Sequence, residues 1–171
     1  MAAGITLGVQ KHKNKGVTLK HFAGNNQEFN RMNNNSKMSE RALREIYLKG
    51  FQIAIQEADP KALMTSYNLV NGVHTSENPQ LLINVLRSEW GFKGLIMTDW
   101  SHSYYTEFAS SKYAPQNAYE IIKGGNNLMM PGGIDDYELL ITKLKEKMLT
   151  RDDLLCCASK VYEMIEILNT K

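Results

Sequence analysis

The sequence predicts an α/β fold of parallel β/α units with about four strands and helices packed over them. Four short apolar runs, at 18–22, 62–68, 95–100 and 127–130, stand between stretches whose apolar residues recur at spacings of three and four. None of the four alternates polar with apolar along its length. Near-continuous apolar runs with polar ends suit strands covered on both faces, the setting of a parallel sheet. The repeat distance is the third observation: Phe22 to Tyr67 is 45 residues, Tyr67 to Asp99 is 32 and Asp99 to Met130 is 31. A (β/α)₈ barrel averages roughly 31 residues per unit. Doubly wound sheets alternate in the same way, so pattern alone leaves the two architectures open. No G-x-G-x-x-G follows a strand, which counts against dinucleotide binding.

The elements follow in order after a short leading segment. Ser39 caps a helix carrying Ala42, Leu43, Ile46, Tyr47, Phe51, Ala54, Ile55 and Ala58, and Asp59-Pro60 stops it. Asn78-Pro79 opens the helix LLINVLRSEW, with Pro at the first helical position, and Gly91 closes it. A third helix is expected over 115–123, before Gly124-Gly125, and Asp135 or Asp136 begins a fourth. Thr150 with Asp153 resembles a capping box for the last helix, which carries Leu154, Leu155, Ala158, Val161, Ile165 and Leu168.

Composition excludes several classes of function. The chain has 171 residues, 43% apolar and 22% charged, enough for one domain with a core. A net charge of +2 gives no electrostatic case for nucleic acid or an anionic membrane. Lys11, Lys13, Lys15 and Lys20 cluster, and are read as a solvated helix end and loop. No apolar run approaches a membrane span, and the N-terminus does not read as a secretory signal, so a cytoplasmic location is expected. The Asn34-Asn35-Ser36 sequon is discounted for the same reason. Cys156 and Cys157 are adjacent within a helical pattern, where side chains diverge by about 100°, so no disulfide joins them. Free thiols fit a reducing compartment.

Each strand ends in polar residues: Lys20-His21 before AGNNQE, then Ser66-Tyr67-Asn68, Thr98-Asp99-Trp100 and Met130-Pro131-Gly132-Gly133. In α/β barrels catalytic groups converge at this face from several strands. Any one of these residues alone reads as a cap or a solvated loop; four converging ends read as a site. A carboxylate beside an indole suits a sugar, since the ring face stacks on C–H bonds and the carboxylate can attack a glycosidic carbon. Lys20 and His21 are donors for sugar hydroxyls, and a nearby cation keeps Asp99 ionised. Tyr67 is expected to hydrogen-bond the same carboxylate. His12, His21, His74 and His102 show no ligand spacing, so no metal or other cofactor is expected. No G-x-S-x-G is present for a serine nucleophile.

At this point the motifs resemble a known family. KHFAGNNQE, SERALREIYLKGF, ALMTSYNLVNGVHTSENP, LLINVLRSEWGFKGLIMTDW and GNNLMMPGG, in this order, resemble the β-glucosidase-type family 3 glycoside hydrolases over residues 7–168. The resemblance implies a retaining mechanism on a TIM-like (β/α)₈ barrel followed by an α/β sandwich domain that supplies the acid/base glutamate. Matched residue by residue, Asp99 falls on the nucleophile, and Lys20 and His21 on the pair that grips the sugar. Tyr67 falls on the tyrosine beside the nucleophile, Trp100 on an aromatic wall, and Met64 among the substrate-binding residues.

Length is the departure. The chain resembles only the second half of that barrel, strands five to eight, so residues 1–171 are expected to form a partial barrel domain without the sandwich domain. The resemblance therefore implies a β-glucoside or related oligosaccharide as ligand, and a nucleophile without its proton donor. Such a fragment is expected to turn over little or nothing alone, unless Glu28, Glu77 or Glu107 replaces the acid. A half barrel leaves two strand edges and one face of its inner core uncovered, so a homo-oligomer or pairing with a missing barrel half is expected. The alternatives are a non-catalytic barrel half acting as a subunit, and an aldolase- or isomerase-like enzyme using Lys20 as a Schiff base.

Overall fold

A computed structural model describes residues 1–100 and 111–169. Its centre is a parallel sheet of four strands in the order β1 (Thr18–Phe22), β3 (Ala62–Thr65), β6 (Leu95–Trp100) and β7 (Leu128–Met130). Helical segments connect successive strands, as alternating runs require. A small second sheet joins β2 (Asn35–Ser36), β4 (Leu69–Val70) and β5 (Val73–His74) beside the C-terminal ends of the large one. These two-residue strands carry no periodicity of their own, and the sequence does not predict them.

The register puts like residues in layers. Leu19 lies opposite Leu63, and Leu63 opposite Ile96, so three apolar side chains from three strands form one row. That row meets Ala54 and Ile55 from helix α2 (Lys49–Ala58) and Leu82, Val85 and Leu86 from helix α3 (Gln80–Glu89) in one buried cluster. Phe22 is fully buried and meets Phe51 edge-on at 5.1 Å and Trp90 at 6.1 Å. All four residues of β3 are buried, as a central parallel strand should be.

Most predicted boundaries hold. Ser39 accepts a hydrogen bond from the Ala42 amide, and the helical stretch it starts passes through a π-type segment, Leu43–Tyr47, before α2. Asn78 Oδ1 accepts from the amides of Gln80 and Leu81, opening α3, and Gly91 ends it at a φ of +68°. Two boundaries differ. The run 62–68 leaves the sheet after Thr65, because Ser66 and Asn68 turn to hydrogen-bond the Ala23 carbonyl. The helix expected from 115 is α4 (Ala118–Lys123), since Asn117 Oδ1 accepts from the Glu120 amide and fixes the start. Helix α5 (Ile134–Lys145) begins beside Asp135, and α6 (Arg151–Asn169) is capped by reciprocal bonds between Thr150 and Asp153.

Two further features position the sheet. The leading segment is a helix, α1 (Ala2–Gln10), and its last side chain staples the bottoms of two strands. Gln10 donates to the carbonyls of Ala58 and Asp59 and accepts from the amides of Val17 and Lys61. Arg87 closes the turn before β6, donating to the carbonyls of Phe92 and Gly94 at 2.9 and 2.7 Å and to Asn127 at 2.8 Å. Cys156 and Cys157 are both free thiols. Cys157 donates to the Asn126 carbonyl, and burial pushes its pKa up to about 11. No helix among the described residues is long and apolar enough to cross a membrane.

Candidate active site

At the C-terminal end of β6 the apolar run ends at Asp99, whose side chain is only 11% exposed. Both carboxylate oxygens are held. Oδ1 accepts the Trp100 amide at 2.7 Å, and Oδ2 lies 3.3 Å from Nε2 of His21. His21 stands on β1, two strands away, and its side chain reaches over β3 to make this contact. Two of its neighbours in β1, Leu19 and Phe22, face the buried cluster, and the register shifts between them. The peptide bonds Lys20–His21 and Phe22–Ala23 are cis.

Burial lowers the His21 pKa from 6.5, against an upward pull from the Asp99 carboxylate; Lys20 adds to the lowering. The imidazole is therefore neutral at pH 7, and in that form it can offer Nε2–H to the carboxylate. Asp99 thus has the Trp100 amide at one oxygen and the His21 imidazole 3.3 Å from the other.

Tyr67 sits just past β3, 8% exposed, and its hydroxyl donates to the Trp100 carbonyl at 2.7 Å. Through this bond Tyr67 fixes the backbone next to the nucleophile candidate. Trp100 is 55% exposed at the rim, as an aromatic wall for a ligand must be. Met64 is buried in β3, opposite Met97 of β6. Lys20 is exposed, forms no ion pair with Asp99, and borders a cavity of about 270 Å³ on the helix side of β1 with Tyr47 and Phe51.

One residue at the site escaped the sequence. Arg31 lies with its guanidinium 4.7 Å from the centre of the Tyr67 ring and bonds Glu28 at 2.9 Å. Glu28 also accepts from Asn25, so the loop after β1 is tied into a small network beside Tyr67. The signal was available in NNQEFNR, where Glu28 and Arg31 are three apart, but only the tertiary fold brings Tyr67 beneath them. Of the three glutamates considered as a substitute acid, Glu28 is committed to Arg31 and Asn25, and Glu77 accepts the Asn117 amide at 2.8 Å. Glu107 and His102 lie outside the described residues.

Comparison with known proteins gives a consistent result. The model of the glycosyl hydrolase family 3 N-terminal domain matches residues 1–161. A probable beta-glucosidase K of Emericella nidulans is 50% identical over 134 residues, which is 77% of this chain and 14% of that protein. An exo-alpha-(1->6)-L-arabinopyranosidase of Bifidobacterium longum is 38% identical over 164 residues, 96% of this chain and 20% of that protein. Among solved structures, beta-glucosidase 3B from Thermotoga neapolitana in complex with glucose superposes with a TM-score of 0.84 at 40% identity, covering 96% of this chain and 22% of that one. The chain thus spans 14% to 22% of the length of these relatives.

Proposed function

The chain belongs to the glycosyl hydrolase family 3 N-terminal domains, and from that membership we propose that it carries the nucleophile side of a retaining, β-glucosidase-type site, with Asp99 as nucleophile. The observation that carries this is the carboxylate itself: nearly buried, held at both oxygens by the Trp100 amide and His21, and flanked by an exposed indole. In the reaction an Asp99 oxygen forms a bond to the anomeric carbon as the bond to the aglycone oxygen breaks and that oxygen leaves with its electron pair. Water then cleaves the glycosyl–Asp99 ester. Trp100 offers a stacking face and His21 a donor beside the same carboxylate, and the substrate is a β-glucoside or related oligosaccharide.

The proposal includes a limit on turnover. Neither Glu28 nor Glu77 is unengaged, and a general acid contributes roughly 10²–10⁴-fold. On this reading natural glucosides, with poor leaving groups, are turned over negligibly by the isolated chain unless Glu107 supplies the acid. An activated 2-deoxy-2-fluoro-β-glucoside removes that requirement, because its leaving group departs without a proton and the second step is slow. Incubation followed by intact-mass spectrometry should show one added fluoroglucosyl group, mapping to Asp99. A folded sample that acquires no adduct, or one mapping elsewhere, overturns the assignment.

A further inference from the structure

Strand β3 lies between β1 and β6, so the contact of His21 with Asp99 passes over its end. The three residues that follow β3, Ser66-Tyr67-Asn68, reach both neighbours, and their hydrogen bonds alternate in direction. Tyr67 turns towards β6 and donates to the Trp100 carbonyl at 2.7 Å. Ser66 and Asn68 turn towards the end of β1. Ser66 Oγ donates to the Ala23 carbonyl at 3.1 Å, and Asn68 Nδ2 donates to the same carbonyl at 3.2 Å. The carbonyls on either side are held as well: that of Phe22 by the Ser66 amide at 2.9 Å, and that of Gly24 by the Ser36 hydroxyl at 2.7 Å.

These side chains are interior. Ser66 is 2% exposed, and Asn68 and Thr75 are fully buried. Thr75 Oγ1 donates to the Ser66 carbonyl, which leaves the Ser66 proton for Ala23. Asn68 Nδ2 donates to the carbonyls of Ala23 and Leu69 and lies 3.5 Å from the Ser36 hydroxyl. Its Oδ1 is buried with no hydrogen-bond partner among the described residues. The two carbonyls fix which way the amide faces, since an amide oxygen turned towards them would be repelled. A buried amide with one unpaired oxygen is less favourable than an apolar side chain that fills the same space. The two donors therefore account for an amide at this position.

We propose that Asn68 and Ser66 are positioning residues for the His21–Asp99 contact: by holding the Ala23 carbonyl they fix the end of β1 where His21 meets the carboxylate. Tyr67, between them, fixes the other side of the contact through the Trp100 carbonyl, so one tripeptide sets the spacing of the pair. Two donors on one carbonyl occupy both of its lone pairs and restrain the backbone two residues from His21. Displacements of about 1 Å are enough to slow a reaction between positioned groups. The effect on reaction rests on the reading of Asp99 as nucleophile; the placement of His21 does not.

Nuclear magnetic resonance of the His21 ring protons reads that placement, with His21→Gln identifying the signal. Burial holds the His21 pKa below 6.5, and the charged groups facing it are Asp99, Lys20, Glu28 and Arg31. In Asn68→Ala the titration midpoint should rise towards 6.5 as the ring leaves its buried place. Ser66→Ala, which leaves the Asn68 donor, should shift it less and in the same direction, and decides alone if Asn68→Ala does not fold. Asp99→Asn should lower the midpoint in the natural chain, because the carboxylate pulls it up, and should do so much less in Asn68→Ala. Asn127→Ala is the control: it removes the acceptor of the Ile96 amide at the start of β6, and should lower stability without moving the midpoint. Labelling by the activated fluoroglucoside should slow at least roughly tenfold in Asn68→Ala, in the rate at saturating reagent rather than in its binding. An unaltered midpoint in the folded variants, an equal shift in Asn127→Ala, or an Asp99→Asn effect undiminished in Asn68→Ala would each overturn the proposal. So would an undiminished labelling rate with His21 displaced. A natural chain that takes no label overturns the nucleophile assignment instead, and the midpoints still decide the placement of His21.

Discussion

The Nε2 of His21 lies 3.3 Å from Oδ2 of Asp99 although 78 residues of sequence and one whole strand, β3, separate them. The contact exists because β1 and β6 both end at the same rim. It joins a nearly buried carboxylate to an imidazole that burial keeps neutral. The contact sets the carboxylate's position at the rim, as a carboxylate nucleophile needs.

Asp99→Asn retains the shape and one accepting oxygen but not the nucleophile. Labelling by the activated fluoroglucoside should fall by at least roughly a thousandfold, read as adduct mass against time. Circular dichroism should be unchanged, which separates lost chemistry from lost fold.

His21 makes stability pH-dependent in a defined direction. Its pKa is lower in the folded chain than the 6.5 of an exposed imidazole, so the unfolded chain binds more protons in the interval between the two values. Its stabilising contribution is therefore present above pH 6.5 and lost as pH falls through the folded value. Urea midpoints at pH 7.5 and 5.5 should differ more for the natural chain than for His21→Gln. Equal differences in the two proteins would show that His21 carries no such linkage.

Arg87→Met removes three hydrogen bonds to two carbonyls and one amide oxygen while keeping most of the side-chain volume. Bonds from charged donors contribute about 1.5–3 kcal/mol each, and they are not additive, so a loss of about 2–4 kcal/mol is expected. It should appear as a lower urea midpoint at constant slope. A loss under about 0.5 kcal/mol would mean that the turn before β6 is set by its glycines alone.

Gly94→Ala tests those glycines. A Cβ at this position would stand 2.4 Å from the Lys61 carbonyl oxygen and 2.7 Å from the Phe92 ring. The first neighbour is backbone at the start of β3 and cannot swing aside, so about 1–3 kcal/mol should be lost. The midpoint shift in urea measures it, and a neutral substitution would show that β3 and β6 can separate at their start.

The four strands and their connecting helices were legible because each signal is local. Apolar runs, Ser39, Asn78-Pro79, Gly91 and the Thr150–Asp153 pair act within a few residues of where they stand in the chain. The second sheet was not legible, since β2, β4 and β5 have two residues each and are held by pairings between distant segments. Arg31 was missed for a related reason: stacking on Tyr67 joins two loops that meet only when β1 and β3 lie side by side. The bond from the Tyr67 hydroxyl to the Trp100 carbonyl was not legible either, because sequence places Tyr67 near Asp99-Trp100 only as a unit.

By itself, then, the sequence determined the alternation of strands and helices, the polar strand ends and the family to which their motifs belong. Those depend on periodicity, on capping chemistry and on residue order, all written along one dimension. Tertiary structure decided which polar groups touch: His21 across β3 on Asp99, Tyr67 on the Trp100 carbonyl, Arg31 over Tyr67, Gln10 across the feet of β1 and β3. Contacts of that kind depend on ångström-scale distances between segments far apart in the chain, and strand order and register fix those distances where local propensity does not.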